Sequence, residues 1–180
     1  MEHIPGAAHA DLVNDLSDND ASFRYMLPQV PQLAQAFSGC GVGAGTWAVL
    51  YDSTSGSWAT RIWWMLRAIG FDDAYVLNGG LHKWKLEDRP VNSDPSTYPP
   101  AIFLAKPRSG LMANKDEVLA ALDQGVTCVL NALSEEQHLG SGGANYGRAG
   151  RISGSVNVPA GSLTDPVTHA YLPAEELAKR

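Results

Sequence analysis

The stretch from Trp47 to Trp84 constrains the fold more than any other part of the chain. Trp47–Tyr51 reads as a strand, Asp52–Ser57 as a tight polar loop, Trp58–Ile69 as a helix, and Ala74–Leu77 as a second strand before Gly79-Gly80. Both strands are short apolar runs of the kind buried in parallel sheets. The helix carries Trp58, Ala59, Ile62, Trp63, Leu66 and Ile69 at helical spacing, and Gly70 is its natural stop. A strand, a crossover helix and a second strand make an α/β unit with a parallel sheet.

The loop of this unit is Asp52-Ser53-Thr54-Ser55-Gly56-Ser57. A buried strand that delivers a polar loop onto a helix N-terminus builds an anion or nucleophile site, because free backbone amides converge there. This loop has hydroxyls and a glycine but no cysteine, histidine or lysine. Asp and Ser are the usual helix-capping residues, so the loop reads as a structural cap, with small-anion binding as the other reading. Serine chemistry is disfavoured because Thr54-Ser55-Gly56 does not form a G-x-S-x-G elbow.

The rest of the chain narrows the function by exclusion. A net charge of −6 gives no support for nucleic-acid binding, which needs a basic face. No apolar run approaches the roughly 18 residues of a membrane span. Met1-Glu2-His3-Ile4-Pro5 lacks the basic and apolar regions of a signal peptide, and Cys40 and Cys128 make neither a disulfide framework nor a zinc site. The expectation is a cytoplasmic protein with reduced thiols. His3, His9, His82, His138 and His169 show no metal-ligand spacing, and no cofactor or metal is expected. Cys40 follows a helix C-terminus, where the dipole disfavours a thiolate. Cys128 falls in an apolar strand, where burial would make it inert.

Pro28–Phe37 suits a helix ended by Gly39. Gly39-Cys40-Gly41-Val42-Gly43-Ala44 formally matches G-x-G-x-x-A, but it follows a helix and precedes a strand. A dinucleotide fingerprint needs the reverse, so this is read as a plain loop. The proline-rich run from Lys85 to Gly110 places a linker at 93–110. Beyond it come a helix over Asn114–Leu122 capped by Asn114 and a strand over Val126–Ala132. Ser134-Glu135-Glu136-Gln137 is a capping box, Gly140–Gly150 a glycine-rich loop, Val156–Val158 a strand, and a last helix starts after Leu172-Pro173.

The two halves match in order. His3-Ile4-Pro5-Gly6-Ala7 resembles Arg151-Ile152-Ser153-Gly154-Ser155, and Leu16-Ser17-Asp18 resembles Leu163-Thr164-Asp165. Met26-Leu27-Pro28 resembles Tyr171-Leu172-Pro173, and Leu33-Ala34 resembles Leu177-Ala178. The offset drifts only from 148 at His3 to 144 at Leu33, as short loop insertions would make it. The chain is read as an internal duplication in which neither copy is whole. The open sheet edge of the first copy leads to the expectation that the Val126–Ala132 strand of the second pairs with it.

His3-Ile4-Pro5-Gly6-Ala7, Leu50-Tyr51-Asp52, Arg61-Ile62-Trp63-Trp64-Met65-Leu66-Arg67 and Val76-Leu77-Asn78-Gly79-Gly80-Leu81, with Trp84 and Arg89-Pro90-Val91, resemble the tandem rhodaneses. This is the family of the thiosulfate and 3-mercaptopyruvate sulfurtransferases. In the second half Leu130-Asn131-Ala132, Gly150-Arg151-Ile152 and Gly154-Ser155-Val156-Asn157-Val158-Pro159 carry the same resemblance. It implies an α/β fold of two incomplete rhodanese copies, each a parallel sheet flanked by helices. Residues 1–92 would be a non-catalytic N-terminal domain lacking its first strands, and 111–180 the first part of a second domain. The implied activity moves sulfane sulfur from thiosulfate or 3-mercaptopyruvate to a thiophilic acceptor such as cyanide through a cysteine persulfide. The alternative is a non-catalytic rhodanese-like binding or scaffold module. The partners implied are a small anionic sulfur donor and a thiophilic acceptor, with no nucleic acid and no membrane. Asp52 stands about where an active copy has its cysteine, which makes Asp52, Ser53, Ser55, Gly56 and Ser57 a vestigial loop. No catalytic residue is assigned on this chain, and the cysteine loop is expected beyond Arg180. Arg148 and Arg151 flank the second turn and could face that loop, although a solvated position suits Arg148 better. Asn78 and Asn131 stand where the family often has Asp.

Overall fold

The helix that follows the polar loop gathers the core. In the computed structural model, which describes residues 2–144 and 147–180, this helix is short enough to need tertiary support. The first elements are α1 (Val30–Gly39), β1 (Ala48–Leu50), α2 (Ser57–Ala68), β2 (Ala74–Val76) and α3 (Gly80–Leu86). Ala59, Ile62, Met65 and Leu66 of α2 and Ile69 just past its end are buried, with Leu66 at 0% exposure. Leu33 and Phe37 of α1, Ala48 of β1, Ala74 of β2 and Leu16 from the preceding turns close the same cluster. Trp58, expected on the buried stripe, is instead exposed on the first turn of α2, and Met65 takes the core position. Trp63 lies at the cluster margin, where its indole N–H donates to the Ala74 carbonyl at 3.0 Å.

β1 and β2 pair in parallel, Ala48 opposite Ala74 and Leu50 opposite Val76. Alternation puts Ala48 and Ala74 inward and Val49 and Tyr75 outward, with the Trp47 ring 5.9 Å from that of Tyr75. The strands are shorter than expected at their ends, where pairing frays. Helix α3 was not anticipated. It is a single short run that starts at the Gly79-Gly80 turn.

The chain divides into two compact units, Met1–Leu111 and Met112–Arg180. Residues 93–110, expected as a linker, lie along the first unit. Ala101 N donates to Ser38 O, Ala44 N to Ile102 O, Lys106 N to Ile69 O and Arg108 N to Ala68 O. Phe103 sits 6.0 Å from Phe37 and 5.7 Å from Phe71, so the extended segment adds apolar cover. It also accounts for the glycine-rich run. A Cβ on Gly43 would lie 2.5 Å from the Ile102 carbonyl oxygen, so the glycine permits a crossing of two backbones.

The second unit contains α4 (Lys115–Gln124), β3 (Leu130–Asn131), α5 (Glu135–Leu139), β4 (Val156–Asn157), a 3-10 turn (Ala160–Leu163) and α6 (Ala174–Leu177). Asn114 caps α4 in a reciprocal box with Glu117, and Ser134 caps α5 with Gln137. β3 pairs in parallel with β4 of its own unit, Leu130 opposite Val156. Among the described residues every buried hydrophobic side chain lies between Leu16 and Leu81. Two-residue strands and helices of five and four residues offer too little surface to enclose side chains in the second unit, and the ten-residue α4 buries none of its own. For that reason Cys128, expected to be buried, is exposed.

The matched turns have the same geometry. Ala7 N donates to Ile4 O at 3.0 Å and Ser155 N to Ile152 O at 3.1 Å, with Gly6 and Gly154 both at φ 82°. In each turn the glycine supplies the left-handed conformation that other residues resist.

Candidate functional site

The loop between β1 and α2 is organised by one carboxylate. Asp52 Oδ1 accepts from the backbone N–H of Thr54 (2.8 Å) and Gly56 (3.0 Å) and from the Thr54 hydroxyl (2.9 Å). Asp52 Oδ2 accepts from the N–H of Trp58 and Ala59, both at 3.0 Å. The last two are orphan donors of the first turn of α2, so Asp52 caps the helix from six and seven residues away. Gly56, at φ 85°, turns the chain into the helix in a conformation that an L side chain resists. Ser55 and Ser57 share a hydroxyl contact at 3.1 Å, and Ser53 is exposed to solvent.

The loop is braced from behind. Leu77 N donates to Leu50 O (2.8 Å) and Leu81 N to Asp52 O (3.1 Å). Gly80, at φ 53°, passes so close that a Cβ there would lie 2.8 Å from the Asp52 carbonyl oxygen. On the other side, Ile4 N donates to the Tyr51 hydroxyl at 3.0 Å, which ties the His3-Ile4-Pro5 turn to the residue before Asp52. His3 also bridges Asn92 through two backbone hydrogen bonds.

Burial pushes the Asp52 carboxyl up, but the amides of Ala59, Gly56 and Thr54 and the Thr54 hydroxyl outweigh it. The net result is a carboxyl below its ordinary value and ionised at neutral pH. The cradle is therefore an anion hole whose anion is covalently part of the chain. Both Asp52 oxygens are engaged by donors, and a carboxylate cannot carry sulfur.

Of the predicted site residues, the structure brings Asp52, Gly56 and the start of α2 together and leaves the three serines at the rim. Two participants escaped the sequence reading. Thr54 binds Asp52 through both its amide and its hydroxyl, a local pattern legible as Asp followed two residues later by Thr. Gly80 is required by close approach, for which the Gly79-Gly80 pair was the available signal.

The cysteines lie elsewhere. Cys40 caps α1, its Sγ facing the His9 carbonyl at 3.8 Å, and burial together with nearby Asp15 pushes its thiol up. In the second unit Arg151 Nη1 donates to the His138 carbonyl at 3.4 Å, and Arg148 is exposed. His138 is buried beside Asn131, whose Nδ2 lies 3.1 Å from Nδ1. Asn131 Oδ1 accepts from Leu133 N, so its amide nitrogen faces the ring and Nδ1 is the acceptor. Asn145 and Tyr146 of the glycine-rich loop lie outside the described residues. Among the described residues no group of three His, Cys, Asp or Glu side chains could hold a metal ion. Among the described residues no helix is long and apolar enough to cross a membrane.

Residues 1–87 match the model of the rhodanese-like domain. The chain is 34% identical over 162 residues to thiosulfate sulfurtransferase of Bos taurus, covering 87% of this chain and 54% of that protein. It is also 34% identical over 161 residues to 3-mercaptopyruvate sulfurtransferase of Rattus norvegicus, with the same coverage. The chain thus spans about half the length of these curated relatives. Among solved structures, the 3-mercaptopyruvate sulfotransferase SseA from Escherichia coli superposes with a TM-score of 0.82 at 27% identity, over 99% of this chain and 66% of that one. The loop at the head of α2, the parallel strands beneath it and these likenesses agree: residues 1–87 are a rhodanese-like domain, and the chain has homologues among the thiosulfate and 3-mercaptopyruvate sulfurtransferases.

Proposed function

We propose that this chain is part of a rhodanese-type sulfurtransferase and that residues 1–92 are its non-catalytic domain, 93–110 the connection and 111–180 the beginning of the catalytic copy. The reaction moves sulfane sulfur from thiosulfate or 3-mercaptopyruvate to a thiophilic acceptor such as cyanide. A cysteine thiolate attacks the sulfane sulfur, the donor leaves as sulfite or pyruvate, and cyanide then takes the sulfur from the persulfide and restores the thiolate. Such a cysteine needs converging amides that favour the thiolate and the persulfide anion. The observation that carries the reading is the Asp52 carboxylate held by four amides and a hydroxyl in a cradle of that kind. The nucleophile then belongs to the equivalent loop of the second copy, which the repeat offset places past Arg180, with Arg148 and Arg151 near the anionic donor. The reading places the enzyme in the cytoplasm, a compartment in which the free Cys40 and Cys128 stay reduced.

The same occupied cradle supports a second reading, a non-catalytic rhodanese-like binding or scaffold module. Two measurements separate the readings. The purified 180-residue chain, given thiosulfate and cyanide, is expected to form thiocyanate no faster than buffer. A clear excess would overturn the silent-loop assignment. Coding sequence that continues in frame into a cysteine-bearing loop supports the sulfurtransferase, whereas a native product ending at Arg180 favours the scaffold.

A further inference from the structure

Arg61 is a half-buried cation without a counter-charge. It lies on α2, one turn beyond Trp58, and among the described residues it forms no ion pair with a carboxylate. Its Nη2 donates to the Tyr25 carbonyl, while its Nε is buried without any partner. A guanidinium presents Nε and Nη as a two-donor fork, and a single carbonyl oxygen satisfies only half of it. A buried charged donor left unpaired is costly, so this edge of Arg61 has an unmet demand for a second oxygen.

The surroundings define the rest of the seat. Tyr25 holds φ 63°, a left-handed conformation that a non-glycine residue adopts at a cost. Its ring lies tilted against that of Trp58, 5.1 Å between centroids. Tyr25, Trp58 and the neighbouring Phe23 and Met26 are all exposed, which leaves an apolar surface beside the cation.

We infer that Arg61 is a binding site for a small amphipathic carboxylate, whose two oxygens engage Nε and Nη2 and whose apolar body lies on Tyr25 and Trp58. The Tyr25 carbonyl is the placeholder in the free protein. Its displacement satisfies the fork and releases Tyr25 from its left-handed conformation, which offsets the lost contact. A carboxylate fits better than a halide because the demand is for two oxygens at fork spacing. The site does not depend on the sulfurtransferase reading, since it uses no residue of the Asp52 cradle.

The test is a titration of the 180-residue chain with sodium hexanoate, followed by tryptophan fluorescence, with acetate and chloride at matched ionic strength. A saturable change is expected with hexanoate, a weaker one with acetate because it lacks the apolar body, and none with chloride. Trp58→Phe should remove most of the signal while calorimetry still detects binding. Arg61→Lys keeps the charge but not the fork and should weaken hexanoate binding by about tenfold, the loss of one charge-assisted hydrogen bond. A wild-type response to hexanoate no different from chloride overturns the proposal. So does undiminished binding by folded Arg61→Lys.

Discussion

Replacing Asp52 with asparagine tests whether one carboxylate holds the loop and the first turn of α2 together. In Asp52→Asn one oxygen can still face Thr54 and Gly56, but an amide NH2 now meets the Trp58 and Ala59 N–H groups, donor against donor. Hydrogen bonds to a charged acceptor contribute about 1.5–3 kcal/mol each, and loss of a helix cap costs about 0.5–2 kcal/mol. Asp52 is only half-buried, so water replaces part of what is lost and the sum is discounted to about 2 kcal/mol. All five tryptophans lie in the first unit, so their fluorescence during urea unfolding reports on this unit alone. With a urea slope of about 1.5–2 kcal/mol/M, the midpoint of Asp52→Asn should fall by about 1 M at pH 7. The pH dependence fixes the cause. The folded carboxyl lies below its ordinary value of 3.8, so its contribution is complete above that pH and is lost as pH falls through the folded value. The difference between wild type and Asp52→Asn should therefore narrow on acidification below 3.8. A variant that matches wild type at neutral pH, or a gap that widens in acid, would refute the role given to this carboxylate.

Two further perturbations follow from the same geometry. Gly80→Ala adds a Cβ 2.8 Å from the Asp52 carbonyl oxygen on a left-handed backbone and should cost about 2–3 kcal/mol in the same urea assay. Gly45→Ala is the comparison, with φ 77° but open space around it, and should cost only about 1 kcal/mol. If the two variants unfold together, the close approach of Gly80 is not what the loop depends on. Thiol labelling at pH 7 with peptide mapping should find Cys128 modified at least about tenfold faster than Cys40, because Cys128 is exposed while burial and Asp15 hold the Cys40 thiol up. Equal rates would contradict the placement of Cys40 against α1.

Much of the architecture is local and could be read from the chain. Asn114 with Glu117, Ser134 with Gln137, the turns at Gly6 and Gly154 and the apolar period of α2 depend on residues a few positions apart. Hydrogen bonding and side-chain spacing at that range are set by sequence alone. The quiet chemistry of Asp52–Ser57 was legible for the same reason, since it follows from which side chains are present. The burial of individual residues was less legible. Trp58 and Met65 both fit an apolar stripe, and only the position of α1 and the strands decides which one the core encloses. Cys128 sits in an apolar run, yet its exposure depends on how little of the second unit lies over β3.

Long-range approach is what only the tertiary structure decided. Residues 93–110 read as a linker because prolines suppress local structure, and the backbone bonds of Ala101, Ile102, Lys106 and Arg108 to Ser38, Ala44, Ile69 and Ala68 depend on a surface distant in sequence. Gly43 and Gly80 looked like ordinary turn glycines until Ile102 and Asp52 were found against them. The sequence determined that the loop at Asp52 holds no nucleophile. The fold decided that its carboxylate gathers four amides and a hydroxyl, because those donors converge only when β1 ends where α2 begins and the Gly79-Gly80 turn closes behind them.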